Sequence, residues 1–125
     1  MINSTKYGNK RVFRCGQWFD SKHEADRYWE LSLLQRAGEI SNLETQVAFE
    51  LIPTQREPDI IGVRGGVKQG KAIEKSCTYY ADFVYIDKNG RKVVEDAKSP
   101  ATRTEAYRIK KKLMLWVHGI RIQEV

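Results

Sequence analysis

One predicted hairpin constrains the fold of this chain more than any other feature. Residues 76–86 are rich in aromatic and β-branched side chains, and residues 91–97 form a second run that favours a strand. Residues 87–90, Asp-Lys-Asn-Gly, have the composition of a turn. The two runs are therefore expected to pair as antiparallel strands, and a chain of 125 residues has to build a single domain around them.

The length of the turn decides which residues lie opposite each other. If residues 88–90 form a three-residue loop, a type I turn followed by a left-handed glycine, Asp82 lies opposite Asp96. Because strand side chains alternate, Lys98 then shares their face. A two-residue Asn-Gly turn of type I′ is the alternative, and it would place Asp82 opposite Ala97.

Two helices are expected to flank the hairpin in the sequence. The first is predicted over residues 22–37, since Ser21 and Glu24 match a capping box and Gly38 can end the helix. Glu24 either directs its carboxylate along a packed face or only completes the cap. The apolar residues form two rows, Ala25, Trp29 and Leu33 and then Tyr28, Leu31 and Leu34, so we expect this helix to be covered on more than one side.

The second helix is predicted to begin after Thr104 and to run to about His118, with Gly119 as its end. Apolar residues at helical spacing predict its core face, which consists of Ala106, Ile109, Leu113, Trp116 and Val117. The opposite face is predicted to expose Tyr107, Arg108, Lys110, Lys111 and Lys112.

The remaining segments complete an α/β pattern. Residues 12–19 predict a short N-terminal hairpin, residues 46–51 a strand, and residues 120–125 a last strand. Residues 54–75 contain four glycines and five basic residues without sustained periodicity, which predicts a long, mobile basic loop. Residues 1–10 are expected to be a tail of the single domain 1–125.

Charge is segregated along the chain, whose net charge is +6 at pH 7. Residues 1–14 carry four basic residues and no acid, and residues 101–125 carry six basic residues against two acids. Residues 15–53 hold seven acids and three basic residues. The pattern indicates a basic rim around an acidic centre and favours an anionic partner such as nucleic acid.

Several classes of protein are not expected. No stretch approaches the ~20 apolar residues of a membrane span, and residues 1–10 lack the apolar run of a signal peptide, so a cytoplasmic protein without a membrane partner is predicted. Cys15 and Cys77 lack zinc-site spacing and are expected to be reduced, half-buried thiols. His23 and His118 both have structural explanations near helix ends, which disfavours a histidine-based hydrolase.

Opposed carboxylates require a compensating charge. Directly opposite side chains lie about 5 Å apart, and like charges there are destabilising. The pair could share a proton, form an ion pair with Lys98, or bind a divalent cation that favours oxygen ligands. Lys98 supplies one positive charge against two carboxylates, or three if Glu24 joins them. Mg²⁺ or Mn²⁺ is then the simplest answer, with no small-molecule cofactor.

Two segments of the hairpin resemble a known nuclease motif. Residues 79–84, Tyr-Tyr-Ala-Asp-Phe-Val, and residues 93–98, Val-Val-Glu-Asp-Ala-Lys, resemble the PD-(D/E)XK motif, an acid on one strand and acid-x-Lys on the next. Apart from residues 54–75, nearly the whole chain resembles a family of small, phage- and prophage-borne predicted endonucleases. The further matching segments are 7–10 (Tyr-Gly-Asn-Lys), 19–25 (Phe-Asp-Ser-Lys-x-Glu-Ala), 43–53 (Leu-x-x-Gln-x-x-Phe-x-Leu-x-Pro) and 107–112 (Tyr-x-x-Lys-Lys-Lys).

The resemblance implies a fold and a set of site residues. The fold would be a restriction-endonuclease-like core, a mixed central sheet flanked by two helices. Asp82, Asp96 and the Ala97 carbonyl would hold the metal, and Glu24 would contribute directly or through water. Lys98 would position the attacking water. Because nearby carboxylates favour the charged form of a lysine, we expect it to stabilise the developing phosphorane charge rather than act as a general base.

The expected function is a Mg²⁺-dependent endonuclease acting on DNA, plausibly branched or otherwise structured DNA in phage replication or recombination, in the bacterial host cytoplasm. Backbone phosphates would be bound by residues around the second helix, namely Arg103, Tyr107, Lys110 and Lys111. The alternative is a catalytically silent DNA-binding or replisome-associated module on the same fold. A weaker alternative is an RNA-binding protein that stacks bases on Tyr79, Tyr80 and Tyr85. Pairing of two copies through the first helix is an open alternative to a monomer.

Overall fold

The centre of the fold is a mixed sheet of four strands, in a computed structural model that describes residues 10–125. The elements follow one another as β1 (Val12–Arg14), β2 (Gln17–Phe19), α1 (Lys22–Arg36), β3 (Ser41–Ile52), β4 (Gln55–Arg56), β5 (Ile60–Ile61), β6 (Val67–Lys68), β7 (Ala72–Glu74), β8 (Cys77–Ile86), β9 (Lys92–Asp96), α2 (Glu105–His118) and β10 (Gln123–Glu124), with a 3₁₀ turn over Pro100–Thr102. The sheet order is β10-β9-β8-β3. β8 is antiparallel to both neighbours, and β10 is parallel to β9.

The β8–β9 hairpin has the register that the three-residue loop predicts. Phe83 pairs with Glu95, and the ladder continues to the turn. Gly90 has φ +78°, which glycine adopts without a Cβ penalty, so the loop ends in a left-handed residue. Continued by one residue, this register sets Asp82 opposite Asp96. The alternative register, with Asp82 opposite Ala97, is wrong.

Each face of the sheet has its own hydrophobic cluster. On the α1 side, Leu31 of the helix packs with Phe83 and Tyr85 of β8. On the α2 side, Met114 packs with Val84 of β8 and with further residues of the sheet. The predicted mixed α/β architecture with two flanking helices is confirmed, and so is the N-terminal hairpin, β1–β2.

Helix α1 begins at its predicted cap but is covered on one side only. The Ser21 hydroxyl accepts the Glu24 N–H at 3.1 Å, and the helix ends one residue before the predicted position. Ala25 and Leu31 are fully buried, whereas Trp29 and Leu33 are both 44% exposed. The prediction of cover on several sides is therefore wrong, because among residues 10–125 the helix packs mainly against the sheet and the β1–β2 hairpin.

Helix α2 presents a different face to the sheet from the one predicted. Tyr107 and Met114 are buried, while Trp116 is 86% exposed and Ile109 is 52% exposed. The predicted core row points outward, with Leu113 alone partly packed against the core. Tyr107 has an apolar ring and a polar hydroxyl, and such a side chain can face a core when its tip finds a partner. The Tyr107 hydroxyl does so by donating to Glu124.

Residues 54–75, here called the arm, contain regular structure that the sequence pattern did not predict. β4 pairs with β7 and β5 pairs with β6, both antiparallel. A Cβ on Gly70 would lie 1.8 Å from the Glu57 carbonyl oxygen, and the Gly70 N–H donates to Asp59 at 3.0 Å. Each ladder has only two register pairs, which is too short for a period to be visible in the sequence.

Other expectations concern single features of the chain. Both cysteines are free, Cys15 exposed and Cys77 partly buried. The last strand is limited to Gln123–Glu124. Within the described part of the chain, no helix is long and apolar enough to cross a membrane. Most of the predicted tail, residues 1–9, lies outside the described residues.

Candidate active site

Most of the predicted site residues line one open cleft of about 580 Å³. The cleft lies where the start of α1, the middle of β8, the end of β9 and the start of α2 meet. Seven of the nine predicted residues line it, namely Glu24, Asp82, Asp96, Ala97, Lys98, Tyr107 and Lys110. The other two, Arg103 and Lys111, line a neighbouring groove.

The carboxyl groups of Asp82 and Asp96 face each other in this cleft. Burial raises the pKa of Asp82 far above its ordinary range, and a hydrogen bond with Asp96 and the charge of Asp96 raise it further. A hydrogen bond between two carboxyl groups requires a proton on one of them. The raised pKa of Asp82 favours a proton on the pair, which is one of the three ways in which the sequence allows its repulsion to be relieved.

Two donors hold the buried carboxylate of Asp96 from the α2 side. The Tyr79 hydroxyl donates to Oδ2, and the Lys98 ammonium lies 3.2 Å from Oδ1. The same ammonium lies 4.1 Å from the centre of the Tyr107 ring, in cation–π geometry. Lys98 is thus held between a carboxylate and an aromatic face, with its charged end at the cleft.

The backbone hydrogen bonds that flank Ala97 direct its own N–H and carbonyl toward Asp82. The residues on either side of Ala97 bond to Val125, which donates to the Asp96 carbonyl at 3.0 Å and accepts from the Lys98 N–H at 3.1 Å. In an extended strand, the N–H and C=O of one residue point the same way, so those of Ala97 point away from β10. The Ala97 N–H donates to Asp82 Oδ2 at 3.0 Å, and its carbonyl lies on the same edge.

Glu24 reaches the same cleft from the first turn of α1. Only 7% of the residue is exposed, and burial, followed by the charge of Asp20, raises the pKa of its carboxyl to about 7. The amide of Gln46 lies 3.4 Å from Glu24 Oε1 and 3.1 Å from Asp82 Oδ1. Glu24 is therefore part of the cleft, since Gln46 links its side chain to the aspartate pair.

The oxygen ligands available in the cleft suit a cation that retains most of its hydration shell. Among residues 10–125, no three His, Cys, Asp or Glu side chains stand close enough to surround a metal. Mg²⁺ usually needs only one or two protein carboxylates, with waters and substrate oxygens as its other ligands. Asp82, Asp96 and the Ala97 carbonyl could supply that number of oxygens, and Glu24 could act through water.

Gln46 is a site residue that the sequence analysis did not select, and Tyr79 was named there only as a platform for base stacking. Gln46 lies between the register pairs Thr45–Phe83 and Val47–Ala81, opposite Asp82, and has φ +52°. Near this point the alternation of side chains along β8 shifts by one residue. The evidence is that the odd-numbered Tyr79 and the even-numbered Val84 belong to the same hydrophobic cluster. The left-handed Gln46 was not visible in the strand pattern, and only the pairing of β3 with β8 reveals its place.

Three of the predicted phosphate-binding residues converge on one carboxylate. Glu124 accepts from the Tyr107 hydroxyl at 2.8 Å and lies 3.2 Å from both Lys111 Nζ and Arg103 Nε. Burial raises the pKa of Glu124, but these hydrogen bonds and charges bring it below its ordinary value. Lys110, the fourth residue, lines the cleft itself. The predicted exposure of Tyr107 is wrong, because this ring is buried beneath Lys98.

The acid next to Asp96 belongs to the opposite face, as the alternation predicts. Glu95 is 1% exposed and receives two hydrogen bonds from Arg27, at 2.8 and 2.7 Å. The Tyr85 hydroxyl also donates to it. This buried cluster fastens α1 to the sheet behind the cleft. Tyr79 and Tyr85 are both buried, so neither ring is available for base stacking. The RNA site built on three tyrosines is therefore not formed.

Comparison with known proteins gives a family but no activity. A family model described as "Protein of unknown function (DUF1064)" matches residues 4–120, which is nearly the whole chain. No curated protein and no solved structure matches it. Because the family description names no reaction, the function has to be argued from the chemistry of the cleft.

Proposed function

The chain belongs to this family, DUF1064, and we propose that it is a metal-dependent endonuclease that cleaves the phosphodiester bonds of DNA. The observation that carries the proposal is the pair Asp82 and Asp96, face to face in an open cleft with Lys98 beside them. Within the same proposal, the mixed sheet with one helix on each face is a restriction-endonuclease-like core, and structured DNA is the substrate.

The electrostatics of the cleft support a cation. Four carboxyl groups line it, those of Asp20, Glu24, Asp82 and Asp96, and the pKa values of Glu24 and Asp82 are raised. Such a cluster favours any bound positive charge, because the cation replaces shared protons and relieves the repulsion. When bound, Mg²⁺ or Mn²⁺ supplies a Lewis acid that offsets phosphate charge and makes water a better nucleophile.

Lys98 is the residue that can act on the reacting phosphate. Asp96 and the Tyr107 ring hold its ammonium group at the cleft, with 15% of the side chain exposed. A fixed donor in a partly desolvated site stabilises charge that develops in the transition state, without needing to reorganise. Lys98 would therefore stabilise the phosphorane and orient the attacking water, and Lys110 would contact a flanking phosphate from α2.

The direct test is cleavage of branched, nicked and plain duplex DNA in Mg²⁺ or Mn²⁺. Asp96→Asn and Lys98→Ala should each reduce cleavage by at least about 100-fold, the range seen when one transition-state contact is removed. Asp59→Asn makes the same chemical change as Asp96→Asn, but on the arm, and should leave the rate unchanged. Persistent activity of Asp96→Asn at the wild-type rate would exclude this site.

A second candidate function is a DNA-binding module on the same fold without catalysis. The observation in its favour is that Lys98 already forms an ion pair with Asp96 at 3.2 Å, and the raised pKa of Asp82 favours its neutral form. Titration with Mn²⁺ separates the two candidates, because a ligand that binds only the folded state raises the melting temperature by mass action. A nuclease site predicts a Mn²⁺-dependent rise that Asp82→Asn reduces, whereas a binding module predicts none.

A further inference from the structure

A second concavity lies beside the cleft, along the flank of α2. It has a volume of about 610 Å³, and its lining contains four cationic side chains and one carboxylate. We call it the basic groove, and it is lined by Arg103, Arg108, Lys111, Lys112, Leu115 and Glu124. Lys110 of the cleft and Lys111 of the groove are neighbours in α2, so the two concavities adjoin.

The basic groove already holds an anion, the carboxylate of Glu124. This group is fixed by the Tyr107 hydroxyl at 2.8 Å and by Lys111 and Arg103, each at 3.2 Å. Carboxylate and phosphate oxygens are bound by the same donors in the same way. The geometry of these donors therefore suits a phosphate, and the chain's own carboxylate occupies that place in the free protein.

Two further cations in the groove have no such partner. Arg108 and Lys112 are exposed, and no ion pair joins either of them to an acid of the described residues. They lie four residues apart on one helix, where like charges repel and destabilise the helix. This arrangement therefore does not stabilise the helix or the core. It would, however, stabilise a polyanion bound along the groove.

We propose that the basic groove binds the phosphodiester backbone of DNA that enters the cleft, and that Glu124 competes with a phosphate for Arg103 and Lys111. The proposal rests on DNA as the ligand of the proposed function, but it does not require cleavage. The paired cations near Glu124 would contact one phosphate, and Arg108 with Lys112 would contact the next ones along the strand.

The first experiment measures the affinity for fluorescently labelled duplex DNA by anisotropy, in EDTA so that nothing is cleaved. Glu124→Gln keeps the acceptor for Tyr107 and removes the competing charge, so Kd should fall by about fivefold, the effect of one nearby surface charge. Glu50→Gln removes an exposed carboxylate on β3 and is the matched control. An equal effect of both variants would overturn the role of Glu124.

The second experiment removes the unpartnered cations together. Arg108→Ala/Lys112→Ala should raise Kd by at least about tenfold and lower the slope of log K against log salt by about 2, since each phosphate contact adds roughly one unit. The control is Lys88→Ala/Arg91→Ala, which removes two charges at the hairpin turn. If both double variants lose affinity and salt dependence equally, the groove is not the binding site.

Failure of the groove and failure of the nuclease proposal are distinguishable. A wild-type protein that binds through the groove in EDTA but cleaves nothing in Mn²⁺ would contradict the nuclease and support the groove. Cleavage by the wild type with no effect of the groove variants on Kd would do the reverse. Circular dichroism and thermal melting of each variant establish that it is folded before its Kd is compared.

Discussion

Tyr79 donates its hydroxyl hydrogen to Oδ2 of the buried Asp96 carboxylate, whose other oxygen, Oδ1, pairs with Lys98. Tyr79→Phe should therefore lower the free energy of unfolding by about 1–2 kcal/mol, because a buried charged acceptor loses a donor. Urea denaturation measures this loss. Tyr80→Phe is the control, since Tyr80 lines the same cleft but is 59% exposed. Equal stability of the two variants would contradict the contact.

Asp82→Asn should stabilise the protein in the absence of metal. The substitution removes one of two opposed carboxyls, while the asparagine can still accept from Ala97 and can donate to Asp96. We expect the free energy of unfolding in EDTA to rise by about 1 kcal/mol at pH 8, which is several degrees in melting temperature. A lower melting temperature than wild type would mean that the pair is not repulsive.

The stability of the metal-free protein should fall as pH rises from about 5 to 8. Glu24 and Asp82 have raised pKa values in the folded state, Glu24 about 7, so the folded protein binds more protons than the unfolded chain across this range. Their contribution is complete below the unfolded carboxyl pKa of about 4 and is lost as pH rises through the folded values. Urea denaturation in EDTA at successive pH values measures the slope.

Two comparisons assign this pH dependence of the free energy of unfolding to the groups of the cleft. Asp82→Asn should flatten the slope, because one of the two responsible groups is gone. Glu124 has a lowered pKa and therefore acts in the opposite sense, losing its contribution as pH falls below about 4.5, which is outside the measured range. A slope that is unchanged in Asp82→Asn would assign the pH dependence to other groups.

Gly70→Ala should loosen the arm without unfolding the core. The added Cβ would collide with the Glu57 backbone at 1.8 Å, so the β4–β7 end of the arm has to open. We expect faster tryptic cleavage at the basic residues of the arm at an almost unchanged global melting temperature. Gly66→Ala is the control, because a Cβ there meets nothing within 4 Å. Equal cleavage rates would mean that close packing at Gly70 does not order the arm.

Features that depend on neighbouring residues were predictable from the sequence. The turn chemistry of residues 88–90 limited the hairpin to two registers, and the one formed is that of the three-residue loop, with Asp82 opposite Asp96. Ser21 likewise marked the start of α1 and so the approach of Glu24 to the cleft. In each case a short segment carries its own geometric constraint, which tertiary packing did not override.

Features that depend on distant partners were not predictable in the same way. Periodicity located α2, but the partner of Tyr107 is Glu124, seventeen positions along the chain, and a local pattern does not reveal such a contact. The place of Gln46 required knowledge that β3 pairs with β8. Hydropathy predicts the apolar row with Trp116 as core, since it records the preference of a side chain for burial and not whether a surface is available to cover it.

The two residues Glu124 and Val125 connect the groove to the cleft. The side chain of Glu124 is held by α2, and the backbone of Val125 bonds to Asp96 and Lys98 on either side of Ala97. The His23 ring also contacts the Val125 carbonyl, at 2.6 Å. These two adjacent residues thus brace both helices against the acid-x-Lys segment, and a displacement of Glu124 would shift the backbone that orients Asp96 and Lys98.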